Sequence, residues 1–334
     1  MTTAIWADDA ATVRALATAH PEVVRHHAHR NWGPPLSFAA NLGRDRIVDT
    51  LLELGATDVQ WAFARACLAG RIGTARRLHA RGGRPEPGSV MGPCETQNDA
   101  GLALLLELGA ELSDGGGDPL APVAMVLETY ARNPAGKHRC LALMAERGVA
   151  LPDTPTLAVH RGRIDLLEAH LRRDPGLMTR TFTHREIYPL ELGCHADESI
   201  ALHATPLAGG TLLHLCVDYD ELEMARWLLD QGADVNARAA LDRAGFGGHT
   251  ALFGCVVSQP YRNGRQRDGA CTRLLLAAGA DPDARASLRK RLRGADDESE
   301  HTYHDVTPRQ WGQGFHDQAF VNPAAMALLA SWPR

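Results

Sequence analysis

Residues 210–236, GTLLHLCVDYDELEMARWLLDQGADVN, read as one complete structural unit. Thr211-Leu212-Leu213-His214 opens a short helix, with the Thr side chain available to cap its first amides. Glu221 to Asp230 supplies a second helix with apolar residues at helical spacing, and Gly232-Ala233-Asp234 ends it at a residue suited to left-handed backbone. Two such short helices bury too little apolar surface to stand alone, so the unit is expected to stack on neighbours built the same way.

The neighbours are visible in both directions. Residues 34–58 (PPLSFAANLGRDRIVDTLLELGATD) repeat the pattern, as do residues 249–284, which begin HTALFGCVVS and end CTRLLLAAGADPDA. Weaker copies fill the gaps: Gly55, Gly82 and Gly109 end successive second helices at a constant spacing, and LALMAERG (141–148), TLAVHRGRIDLLEAHLRRDP (156–175) and a unit restarting at Thr307-Pro308 continue the series. Asp8 to Val24 supplies the polar-faced terminal helices that a stack needs at its end.

This pattern resembles the ankyrin-repeat family, whose T-P-L-H-x-A-A-x-x-G and L-L-x-x-G-A-D-V-N signatures are met best at residues 210–236. The resemblance implies an all-α solenoid of about eight helix-turn-helix units, several degenerate. A single domain over 1–334 is expected, with N-terminal capping helices at 1–33 and compact degenerate repeats at 34–180. An insertion follows at 181–209, then C-terminal repeats at 210–334 with insertions at 259–268 and 285–305. The family also implies a structural role for the motif histidine, His214, and a rigid recognition surface for a protein or peptide partner.

Composition narrows the alternatives. Against 40 acidic residues stand 35 basic ones, a formal charge of -5 that offers no general attraction for nucleic acid or an anionic membrane. No apolar run approaches the roughly 20 residues that cross a bilayer, and the N-terminus lacks the character of a signal peptide, so a cytoplasmic location is expected. The seven cysteines are scattered without a Cys-x-x-Cys pair and read as small core residues in a reducing compartment. No metal or cofactor site is expected: His26 and His29 lack accompanying acids or thiols, and His184, His195 and His203 match no ligand spacing.

Function is expected where units depart from the pattern. Asp218-Tyr219-Asp220 replaces the glycine-bearing turn of the family; residues 258–269 (SQPYRNGRQRDG) place Tyr261, Arg265, Arg267 and Asp268 on an enlarged loop; residues 285–305 join a basic amphipathic helix candidate to an acidic half. With Arg243, Phe246, His249, His304 and Trp311 these residues form the candidate binding set, and the hairpin positions His249 and His304 or Asp305 are expected to be neighbours. The favoured function is non-catalytic protein or peptide binding. The alternative is a small-molecule binder or enzyme, with His249, His304, Asp218 and Asp305 as the acid-base groups and an anionic ligand held by Arg. Convergence of His249, His304, Asp218 and Arg267 in one closed pocket decides between the two.

Overall fold

A computed structural model describes residues 1–27, 33–264, 267–294 and 297–333. It divides into two compact units, Met1–Met125 and Val126–Arg334. Both are built from short helix-turn-helix pairs.

In the first unit, Thr2–Trp6 pairs with Ala10–Ala19, Pro35–Leu42 with Asp45–Glu53, Val59–Leu68 with Ile72–Ala80, and Met91–Glu95 with Asp99–Glu107. Successive pairs are joined by buried polar contacts: Ser37 Oγ donates to Asp58 and Thr74 Oγ1 to Asp45, both at 2.6 Å. Close packing also explains Gly101 inside a helix, since a Cβ there would stand 2.0 Å from the Cys67 carbonyl oxygen.

In the second unit, Pro155–His160 pairs with Ile164–Arg173, Leu212–Asp218 with Leu222–Asp230, Ala251–Val256 with Ala270–Ala277, and Pro308–Gly314 with Pro323–Ser331. Pro134–Glu146 follows Ala121–Glu128, the helix at the boundary between units. Threonine caps recur: Thr307, at the restart read from the sequence, accepts from the Gln310 amide, and Thr154, two residues before the unit read from Thr156, accepts from that of Leu157. At the head of Leu212–Asp218, the Thr211 amide donates to His214 Nδ1 at 3.1 Å, and Nε2 then donates to the His249 carbonyl at 3.1 Å. His214 therefore joins two consecutive pairs.

The turn inside a pair needs one left-handed residue. Gly43, Gly70 and Gly162 take it with φ of 72, 66 and 62°, whereas Gln97 and Asp220 are forced into it at 50 and 60°. Asp220 is also pushed up to about 6 by burial and by Glu221 and Asp268 beside it. Asp220→Gly is expected to raise stability at pH 7.5 by about 1 kcal/mol and the thermal midpoint by a few degrees. Differential scanning calorimetry of the pair of proteins measures this.

The departures from the repeat are more ordered than their sequences suggest. Residues 285–293 do not form the expected amphipathic helix; β1 (Ala286–Lys290) and β2 (His301–Val306) form an antiparallel hairpin. Leu288 and Leu292 have helical spacing, but burial alternates along β1, with Ala286 and Leu288 inward and Ser287 and Arg289 outward. The inward residues join a core of Trp311, Phe253, Val256, Phe315 and Ala325. A bulge interrupts the ladder between Ala286 and Leu288, and opposite it Asp305 adopts φ 49°.

Residues 181–209 are neither lid nor projecting finger. Phe182, Ile187, Tyr188 and Leu192 are buried, and His195 is held at both its amide and its Nδ1 by Glu128, each at 2.8 Å. The insertion at 259–268 begins not as a loop but as a helix, Gln259–Asn263, capped by Ser258.

Candidate surface for partner recognition

The inter-repeat hairpins of the second unit are tied edge to edge by backbone hydrogen bonds. Gly209 and Phe182 are joined at 2.8 Å, the Ala240 amide donates to Gly209 at 2.8 Å, and the Gly247 amide donates to Ser287 of β1 at 2.7 Å. β2 completes this series. Gly247 is required there: φ is 123°, and a Cβ would lie 2.2 Å from the Ala240 carbonyl oxygen.

The tip between Leu241 and Gly247 is built around Asp242, whose carboxylate accepts from the Ala244 and Phe246 amides at 2.8 and 3.0 Å and pairs with Arg289 at 2.7 Å. Leu241 on this tip is 66% exposed, the most open large apolar side chain among the described residues. Phe246 follows, with the Arg289 guanidinium 5.4 Å above its ring and His304 5.4 Å to its side. A groove of about 430 Å³ runs along this tip, lined by Phe182, Leu207, Leu241, Phe246 and Arg289.

Beneath the surface lies a buried polar cluster. Arg132, 2% exposed, spends all five of its donors: Nε on the Asp218 carbonyl, Nη1 on the Thr129 and Ala131 carbonyls, and Nη2 on the Leu202 carbonyl and Asp218 Oδ2, at 2.7 to 2.9 Å. The guanidinium and the Lys137 ammonium stand 4.7 and 4.1 Å from the Tyr219 ring. Tyr219 donates to the Leu127 carbonyl and accepts from Tyr188 at 2.5 Å. Lys137 and His138 both contact Glu221 Oε1, at 2.9 and 2.7 Å; the lysine lies off the hydrogen-bonding direction. Burial pushes Asp218 upward against the pull of Arg132, and burial lowers Lys137 despite Glu221. The groove beside Leu241 is not lined by Arg132, Lys137 or Tyr219.

The Ankyrin repeat family model matches residues 208–240, the segment that carries the Thr211–His214 cap, the Asp220 turn and the hairpin leading to Leu241. This segment is an ankyrin repeat. Among solved structures, the crystal structure of the human ASB11 ankyrin repeat domain is similar at 17% identity, covering 90% of this chain and 99% of that one, with a TM-score of 0.29. No curated protein matches the chain.

Around this ankyrin repeat the sequence-derived binding set divides into three. Asp218, Tyr219, His249 and Trp311 are interior, at 7, 1, 1 and 0% exposure, and are withdrawn as partner contacts. Each has a packing reason: Asp218 and Tyr219 belong to the Arg132 cluster, His249 Nε2 donates to the Pro206 carbonyl, and Trp311 Nε1 donates to Thr205. Arg243, Phe246 and His304 sit on the hairpin surface with Leu241. Tyr261, Arg267 and Asp268 lie on the 259–268 insertion, where Arg267 stacks 5.1 Å over the Tyr261 ring. Arg265 and His29 fall outside the described residues.

His249 and His304 are not neighbours in the expected sense, since the first is buried against Pro206 and His214 and the second is exposed against Phe246. Asp305 instead pairs with Arg285 at 3.0 Å. His249, His304, Asp218 and Arg267 thus contact different residues, and the groove that His249 lines includes none of the other three. No group of three or more His, Cys, Asp or Glu is placed to hold a metal among the described residues. No helix among them is long and apolar enough to cross a membrane.

Sequence reading missed Arg132, Lys137 and Leu241. The first two lie in YARNPAGKHR, where repeat boundaries were indistinct; the available signal was the Asn133-Pro134 helix start, which makes Arg132 a pre-helical residue and Lys137 part of the first helical turn. Leu241 was visible as a large apolar residue directly before the polar Asp242-Arg243 and the turn-forming Gly245.

Proposed function

We propose that this protein is a recognition module that binds a protein or peptide through the hairpin surface of its second unit. The observation that carries the reading is Leu241, exposed on a tip that its own backbone and Arg289 hold rigid. A side chain held this way loses little entropy when a partner covers it. Phe246 widens the apolar patch, while Arg243, Arg289 and His304 supply a polar rim, an arrangement suited to a partner that inserts an apolar side chain and meets the rim with acceptors. Protein binding is also what ankyrin repeats generally do. The acid-base alternative has no comparable geometry in its favour.

Replacement of Leu241 by Asp together with Phe246→Ala tests the reading. Both positions lie outside the core, so circular dichroism and thermal midpoint should stay near wild type. In quantitative affinity purification from the native cell, proteins retained by the wild type should fall at least tenfold with the double variant. Equal recovery with both baits would refute the hairpin surface as the binding site.

A further inference from the structure

A second cavity, of about 300 Å³, lies beside the end of β1, walled by residues 290–294, the helix Gln259–Asn263 and residues 199–203. Its lining includes four cations, Arg262, Lys290, Arg291 and Arg293, against one acidic residue, Asp317. Asp197 and Glu198 lie close enough to act on Arg293 and Lys290 through space. None of these four cationic side chains takes a hydrogen bond or ion pair among the described residues; Arg262 only faces the Phe320 ring, at 5.8 Å.

Such grouping is costly without a counter-charge. Four like charges around one concavity repel, most strongly at Lys290, the least exposed of the four. Other cations near this hairpin do stand against acids: Arg132 on Asp218, Arg285 on Asp305, Arg289 on Asp242. Lys290 is pulled down to about 8, mainly by burial, with Arg132 adding to the effect and Asp218 and Glu198 opposing it.

The remaining walls are equally specific. His203 is 8% exposed, and neither of its ring nitrogens has a hydrogen-bond partner among the described residues. Gln259, 3% exposed, is fixed by donating to the Tyr130 carbonyl at 2.9 Å. The Tyr130 and Phe320 rings supply apolar surface. The volume is at the lower end of what small-molecule sites occupy.

We infer that this cavity binds a small organic anion, with a phosphate or carboxylate group held by Lys290, Arg293 and Arg262, His203 hydrogen-bonded to it, and an apolar portion against Tyr130 and Phe320. The site shares one wall residue, His203, with the groove beside Leu241, and its cations Arg262, Lys290 and Arg293 do not line that groove. Binding would add negative charge to that of Asp317, Asp197 and Glu198, so the ligand should stabilise the fold as it binds.

The probes are phenyl phosphate, benzoate, inorganic phosphate and neutral phenol, titrated by calorimetry at fixed ionic strength. Phenyl phosphate or benzoate should bind at least tenfold more tightly than phenol, and whichever binds best names the anionic group. Lys290→Gln and Arg293→Gln should each weaken that binding tenfold or more, while the exposed control Arg226→Gln leaves it unchanged. Binding of no probe, or binding equal in wild type and both cavity variants, would overturn the inference. A Leu241→Asp, Phe246→Ala protein should bind the probe as wild type does, which keeps this result separate from that on the partner surface.

Discussion

Arg132→Ala should be the most damaging single substitution in the second unit, lowering its stability by about 3–5 kcal/mol. The size follows from what the guanidinium leaves behind: four carbonyl oxygens, from Thr129, Ala131, Leu202 and Asp218, and the Asp218 carboxylate, all in the interior. A buried acceptor stripped of its donor costs about 1–3 kcal/mol, and a buried carboxylate costs more. The Tyr219 ring also loses one of its two cations. Arg132→Lys should recover only part of the loss, because an ammonium has three donors where the guanidinium uses five. Urea unfolding measures the difference, and a loss below about 1 kcal/mol would mean that water replaces the guanidinium in the interior.

A second large effect should follow from acid. Burial holds His214 down to about 4 and His249 to about 3, and places His160 and His203 well below the ordinary value of 6.5. The unfolded chain therefore binds more protons than the folded one once pH falls below about 6.5. The stabilisation from neutral histidine is present above that value and is lost as pH falls toward the folded values. At pH 5.5, one unit below the unfolded value, each of these histidines costs on the order of 1 kcal/mol. Four together approach the whole stability of a typical domain.

Asp220 works in the opposite direction, because its folded value of about 6 lies above its unfolded one, and it offsets a small part of the loss. The urea midpoint of the second unit should therefore drop steeply between pH 7.5 and 5.5. His249→Gln should flatten the slope by about one proton. A midpoint independent of pH over this range would contradict the neutral, buried assignment of these rings.

The fold was legible where the repeat chemistry is local. Thr211, His214 and the helix-ending glycines act within a few residues of themselves, and their structure follows from sequence neighbours. The hairpin at 286–306 was misread because Leu288 and Leu292 satisfy helical spacing, while the feature that decides the matter, antiparallel pairing across about ten residues, is non-local. The candidate site was legible in part for the same reason. Phe246 and His304 meet only because Gly247 pairs with Ser287 and brings two hairpins together. Asp218 and Tyr219 stood out as departures from the motif, and they are; their partner Arg132 lies 86 residues away from Asp218, beyond any spacing rule. Trp311 illustrates the converse error, an aromatic read as recognition surface that fills the core around β1.

The central claim is that recognition resides on the rigid hairpin tip of the second unit and not in its polar interior. A photoreactive amino acid placed at position 241, and separately at Arg226 on the exposed face of Leu222–Asp230, tests it in the native cell. Crosslinking at 241 should give a discrete protein adduct that Phe246→Ala abolishes and that position 226 does not give. An adduct from 226 with none from 241 would place the partner on the helices and contradict the account.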